Sequence, residues 1–123
     1  MSGIFIVEDE HFLGLFLRTN LEKHQYQVQH IVATEKLAIE YLNNRSPGLI
    51  LLDVQLKHTG SGIRVAQHVK RVQPHTPIIF MTAYSDSTII TAITEMGYDY
   101  ILKPFEFEQL KKKIDTTMLT SVS

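Results

Sequence analysis

The sequence predicts an α/β fold: a doubly wound parallel sheet of five strands flanked by five helices. Three observations carry this. Short, fully apolar runs recur, as in Ile4-Phe5-Ile6-Val7 and Leu49-Ile50-Leu51-Leu52. Such runs are strands buried on both faces, the mark of a parallel sheet between helices. Strand-like and helix-like patterns alternate from end to end, with no repeat and no low-complexity linker. Both runs stop at acids, the first at Glu8-Asp9-Glu10 and the second at Asp53. In an open parallel sheet, reactive groups gather at the carboxyl ends of the strands.

Each element has its own signal. After the first strand, Phe12, Leu13, Phe16, Leu17 and Leu21 recur at helical spacing, and Tyr26 to Val32 reads as a second strand. Thr34 is the expected N-cap of a helix carrying Leu37, Ala38, Tyr41 and Leu42, since its hydroxyl can accept from an orphan amide of the first turn. The turn cluster from Asn43 to Gly48 ends that helix before the strand that closes on Asp53. Beyond a loop with Gly60 and Gly62, Ile63, Ala66, Val69 and Val72 mark one face of a third helix. Pro74 and Pro77 bracket the entry to a fourth strand, Ile78 to Met81, which runs into Thr82. The helix around Asp86 to Glu95 is rich in Ser, Thr and Ile, residues a few tenths of a kcal/mol poorer than Ala in a helix. It is expected to be held by packing and to be a candidate for movement. A fifth strand, Tyr98 to Leu102, leads to Lys103-Pro104-Phe105. The last helix should turn Phe107, Leu110, Ile114 and Met118 inward, with acids early and Lys111-Lys112-Lys113 later, as the helix dipole prefers.

At 123 residues the chain reads as one domain, 1–123, large enough for a real core. No apolar stretch approaches the ~20 residues that span a bilayer, and no signal-peptide pattern opens the chain. With Cys 0 there is no thiolate chemistry, which fits a cytoplasmic protein. A formal net charge of −1 leaves no footprint for nucleic acid. The six histidines show no paired metal-ligand spacing, although His11 and His58 lie close in sequence to the acids and could tune them.

Four strand ends supply Glu8-Asp9, Asp53, Thr82 and Lys103. Three carboxylates in one crevice repel unless a cation sits among them, and all-oxygen ligands suit magnesium. The matching stretches are Ile4 to Asp9, Leu51 to Leu56, Met81-Thr82-Ala83 and Tyr100 to Phe105. Together, in this order, they resemble the receiver domain of two-component response regulators, with its flavodoxin-like fold, over nearly the whole chain. The resemblance implies that Asp53 is the phosphoacceptor, charged from the phosphohistidine of a histidine kinase or phosphotransfer protein. It implies a magnesium ion held by Glu8, Asp9, Asp53 and the Gln55 carbonyl. It also implies phosphoryl contacts from Thr82 and Lys103, an aromatic switch at Tyr100, and a cis Lys103-Pro104 peptide. The chemistry agrees: a carboxylate attacking a phosphoryl group brings two anions together, so cations must neutralise the transition state.

The chain departs from that pattern at three places. Lys57 stands where Pro is common, Met96-Gly97 replaces a Gly-Ala pair, and Glu8 stands where Asp is also found. None removes a charge the chemistry needs. Three rival readings fit the residues less well. An aspartate-nucleophile phosphatase wants a carboxylate where Gln55 stands, and a nucleotide or flavin site would be repelled by Glu8-Asp9-Glu10. A pseudo-receiver would not need the full acidic, Thr and Lys set. The expectation is therefore a signalling domain, not an enzyme beyond its own phosphorylation and dephosphorylation. It is expected to stand alone or be a piece of something longer. Its output should run through the helix at Asp86–Glu95, the last strand and the final helix, toward a partner or a phosphorylation-dependent homodimer, with no membrane or nucleic-acid contact through this chain. Gln55 and Tyr84 are expected to flank the path of hydrolytic water.

Overall fold

The computed structural model describes residues 3–56, 60–83 and 87–122, with side chains through residue 119. Lys57, His58, Tyr84 and Asp86 lie outside the described residues, and with them the expectations placed there. Numbering only the strands of the main sheet, the chain runs β1 (Ile4–Val7), α1 (His11–Lys23), β2 (Val28–Val32), α2 (Glu35–Leu42) and β3 (Leu49–Asp53). It continues through α3 (Gly62–Val72), β4 (Ile78–Thr82), α4 (Ser87–Glu95), β5 (Asp99–Leu102) and α5 (Phe107–Val122). All sheet pairings are parallel, in the order β2-β1-β3-β4-β5. This is the flavodoxin-like receiver architecture expected from the sequence. Between β3 and α3, Gln55–Leu56 and Gly60–Ser61 form a two-rung antiparallel ladder that the apolar pattern did not announce. No helix among the described residues is long and apolar enough to cross a membrane.

The all-apolar strands alternate their side chains between two faces, and each face has its own core. Phe5, Val7, Ile50, Leu52 and Phe80 pack with Ala38 and Leu42 of α2, Val65, Ala66 and Val69 of α3, and Ile93 of α4. On the other face Ile4, Ile6, Leu49, Leu51, Ile79 and Met81 pack with Leu17 and Leu21 of α1 and Leu110 and Ile114 of α5. Thr34 caps α2 as expected, its hydroxyl accepting from the Leu37 amide at 3.0 Å.

The helical stripes are narrower than the sequence suggested. Phe12 is 83% exposed, on the side of α1 away from its buried Gly14, Leu17 and Leu21, while Leu37 (47%) and Val72 (50%) lie at the margins of their helices' buried arcs. In α3 the buried position is Val65 instead. Lys111, Lys112 and Lys113 lie in the middle of α5, not in its last turn, because the helix continues to Val122. Two of them have local partners: Lys111 pairs with Asp115 and Lys113 with Asp99. Stability should follow burial, not hydrophobicity. Leu17→Ala should cost about 2–5 kcal/mol, and Phe12→Ala should stay within about 0.5 kcal/mol of the parent. Urea denaturation midpoints check both.

Candidate phosphoacceptor site

Parallel register brings the strand ends together. Val7 is level with Leu52, so the residues after them, Glu8 and Asp53, are neighbours at the sheet's carboxyl edge. Asp53 is level with Met81, and Thr82 is level with Leu102, which places Thr82 and Lys103 around the same crevice. Backbone bonds fix this edge: the Glu8 amide donates to the Val32 carbonyl at 3.0 Å, that of Val54 to Met81 at 3.2 Å, and that of Lys103 to Thr82 at 2.7 Å. The Lys103-Pro104 peptide is cis. A methyl group at Gly62 would collide with the Asp53 carbonyl oxygen, so a side chain at that position would push β3 and α3 apart.

Glu8, Asp53 and Thr82 are all buried. Glu8, Asp9 and Asp53 each offer a carboxylate oxygen, and these oxygens all lie within 4.8 Å of one another. The Lys103 ammonium bridges two of the acids, at 3.2 Å from Glu8 Oε1 and 3.1 Å from Asp53 Oδ2. Burial, then the Asp53 charge, pushes the Glu8 carboxyl up to about 7, and the Glu10 amide and Lys103 only partly offset this. Burial works against the Lys103 ammonium as well. The attraction of Asp53 and Glu8, with hydrogen bonds to both, outweighs it and raises Lys103 above an ordinary lysine.

The plainer roles of these acids coexist with the cluster. Glu8 Oε2 accepts from the Glu10 amide at 3.0 Å, and Asp53 Oδ1 accepts from the Gln55 amide at 3.2 Å, both local turn bonds. Glu10 itself sits at the N-cap of α1 and makes no side-chain cap. One oxygen has no such role: Asp9 Oδ1 is buried without a hydrogen-bond partner. A buried carboxylate oxygen of that kind is costly, and one ammonium cannot balance three carboxylates. The donor set, all hard oxygens, fits a divalent cation such as magnesium.

The remaining expected residues sit around this cluster. Gln55 is exposed and contributes its amide to Asp53. Tyr100 is not in the cluster. It is half-buried on β5, packs against the core on the α4 side, and lines a hollow of about 250 Å³ with Ser87, Ile90 and Leu102. Sequence reasoning also passed over an apolar flank beside the crevice. A groove of about 530 Å³ runs between Leu13 and Phe16 of α1 and the turn Lys103-Pro104-Phe105. Phe12 and Leu15 are exposed on the same helix. The spacing of Phe12, Leu15 and Phe16, three and four residues apart, was the available signal.

Comparison with known proteins follows the geometry. The family described as "Response regulator receiver domain" matches residues 4–115. The luminescence regulatory protein LuxO of Vibrio campbellii is 36% identical over 114 residues, covering 92% of this chain and 25% of that protein. The response regulator ArlR of Staphylococcus saprophyticus is 37% identical over 115 residues, covering 93% of this chain and 51% of that protein. The chain thus spans a quarter of the one relative and about half of the other. A CheY-like receiver domain protein from Methanospirillum hungatei superposes with a TM-score of 0.89 at 24% identity, over 98% of this chain and 96% of that one.

Proposed function

The chain belongs to the response regulator receiver domain family, and from that premise we propose that Asp53 accepts a phosphoryl group and thereby switches a distant face. The donor in this reading is the phosphohistidine of a histidine kinase or phosphotransfer protein. The observation that carries it is the Lys103 ammonium held between Glu8 and Asp53 in a crevice whose third acid, Asp9, has a buried oxygen without a partner. An Asp53 carboxylate oxygen attacks phosphorus, the bond from phosphorus to the donor's ring nitrogen breaks, and the imidazole leaves with the electron pair. Glu8, Asp9, Asp53 and the Gln55 carbonyl would hold magnesium, which when bound supplies the positive charge a phosphoryl transfer needs. Lys103 neutralises charge on the phosphoryl oxygens, and the buried Thr82 hydroxyl donates to one of them. The apolar groove on α1 adjoins this crevice and suits the body of a protein donor. Incubation with phosphoramidate and magnesium should add one phosphoryl group per chain by intact mass, and chelation should abolish it. Labelling that survives chelation overturns the reading.

The switched face is α4, β5 and α5. Only Ile93 of α4 is fully buried, and Ser87, Thr88, Thr91 and Thr94 give the helix little intrinsic stability. A Thr82 hydroxyl drawn toward the new phosphoryl group would open space beside Tyr100, and α4 could then move at a cost of a few kcal/mol. The moved face would take an output partner or a second copy of the chain. Beryllofluoride should therefore shift amide resonances of residues 82–107 more than those of α1 and α2. Thr82→Ala should still take phosphoryl while weakening that shift. Shifts confined to the neighbourhoods of Asp9 and Asp53 would exclude this face.

A further inference from the structure

Glu35, the first residue of α2, is far from Asp53 in sequence and outside the acidic cluster, yet it grips the backbone that returns from Asp53. Its Oε1 accepts from the Ser61 amide at 2.9 Å. Both of its oxygens accept from Arg64 Nε at 3.0 Å, and Arg64 adds a second nitrogen to Oε1 at 2.9 Å. The carboxylate lies directly over Gly60, where any Cβ would collide with it and where φ is +124°, so glycine is required on both counts. Arg64 first, then the Ser61 amide, holds the Glu35 carboxyl below its usual range, as expected of a charge that is used.

What Glu35 grips leads straight to the reacting acid. Ser61 is level with Gln55 in the two-rung ladder, and the Gln55 amide is the donor to Asp53 Oδ1. Ser61 also caps α3, its hydroxyl accepting from the amides of Ile63 and Arg64, and the next residue, Gly62, donates to the Val54 carbonyl at 2.8 Å. A two-rung antiparallel ladder is not stable by itself. Each strand has an anchor: Leu56, fully buried in the core, holds one, and Glu35 of α2, accepting from the Ser61 amide, holds the other.

We propose that Glu35 is a positioning residue for phosphoryl transfer, fixing through Ser61 and Arg64 the ladder that aims the Gln55 backbone at Asp53. The inference rests on Asp53 being the phosphoacceptor, and its test separates the two. In metal-free protein, hydrogen exchange at the Gln55 and Ser61 amides should be about tenfold faster in Glu35→Ala than in the parent. That readout needs no phosphorylation. With saturating magnesium, phosphoramidate labelling of Glu35→Ala should be slowed about tenfold, the scale of a misplaced reacting group. Glu35→Gln keeps an oxygen for the Ser61 amide and should recover most of both losses. Parental exchange at Gln55 and Ser61 in Glu35→Ala overturns the clasp, as does an equal loss in the Ala and Gln variants. Labelling of Asp53→Asn, run alongside, would instead overturn the phosphoacceptor assignment on which the inference stands.

Discussion

Asp53→Asn should carry no phosphoryl group after incubation with phosphoramidate and magnesium, under conditions where the parent chain carries one. The substitution keeps the shape of the side chain, its acceptor oxygen for the Gln55 amide and its place at the end of β3. It removes the anionic oxygen that attacks phosphorus in the proposed reaction. Lys103→Ala should show the complementary effect. Asp53 remains, but its ammonium partner at 3.1 Å is gone, and the rate should fall about 10²- to 10³-fold, the usual loss when a preorganised charge is deleted. Intact-mass time courses measure both. A labelled Asp53→Asn chain would move the acceptor to Glu8 or Asp9. An unchanged rate in Lys103→Ala would leave the lysine a merely structural partner of the acids.

The second large effect is on stability without metal. Glu8 rises from an ordinary 4.5 to about 7 because burial, and then the Asp53 charge, disfavours its ionised form. A carboxyl raised on folding contributes stability below its unfolded pKa and loses that contribution as pH rises through the folded one. Metal-free protein should therefore weaken between about pH 4.5 and pH 7, by up to roughly 3 kcal/mol, and stay weak above that. Magnesium at ~100 times its dissociation constant should restore about 2.7 kcal/mol at pH 8, and much less at pH 5, where Glu8 is protonated. Glu8→Gln should flatten the pH dependence and remove most of the magnesium effect. Urea titrations across pH, with and without chelator, read this directly. Metal-free stability that climbs from pH 5 to pH 8 would contradict the buried-acid account.

The main sheet and the cluster at its edge were legible because both follow from local pattern. Three fully apolar runs, Ile4–Val7, Leu49–Leu52 and Ile78–Met81, read as buried strands, and a parallel sheet puts whatever follows its strands on one edge. Glu8, Asp53, Thr82 and Lys103 were thus placed by chain order alone. Helix margins were less legible. A 3.6-residue period marks a helix but not how much of its apolar stripe is covered, and Phe12, Leu37 and Val72, which all carry that period, are exposed. The lysines of α5 were assigned to its end because no Gly or Pro marks where that helix stops. Glu35 and Arg64 were invisible for a different reason. They are 29 residues apart on separate helices, and nothing in either neighbourhood signals a partner before the fold brings α2 against α3.

The two cores meet only across the sheet, and β5 shares its side chains between them: Tyr100 packs with the α4 layer and Ile101 with the α1–α5 layer. The sheet is therefore a partition between two layers of side chains. Residues of α4 can be exchanged without touching the layer that carries the exposed flank of α1, whereas α5, the other wall of the proposed output face, packs in that same layer. A designer wishing to rewire this protein has a seam to follow, and it runs along the whole sheet, each strand dividing its side chains between the two layers.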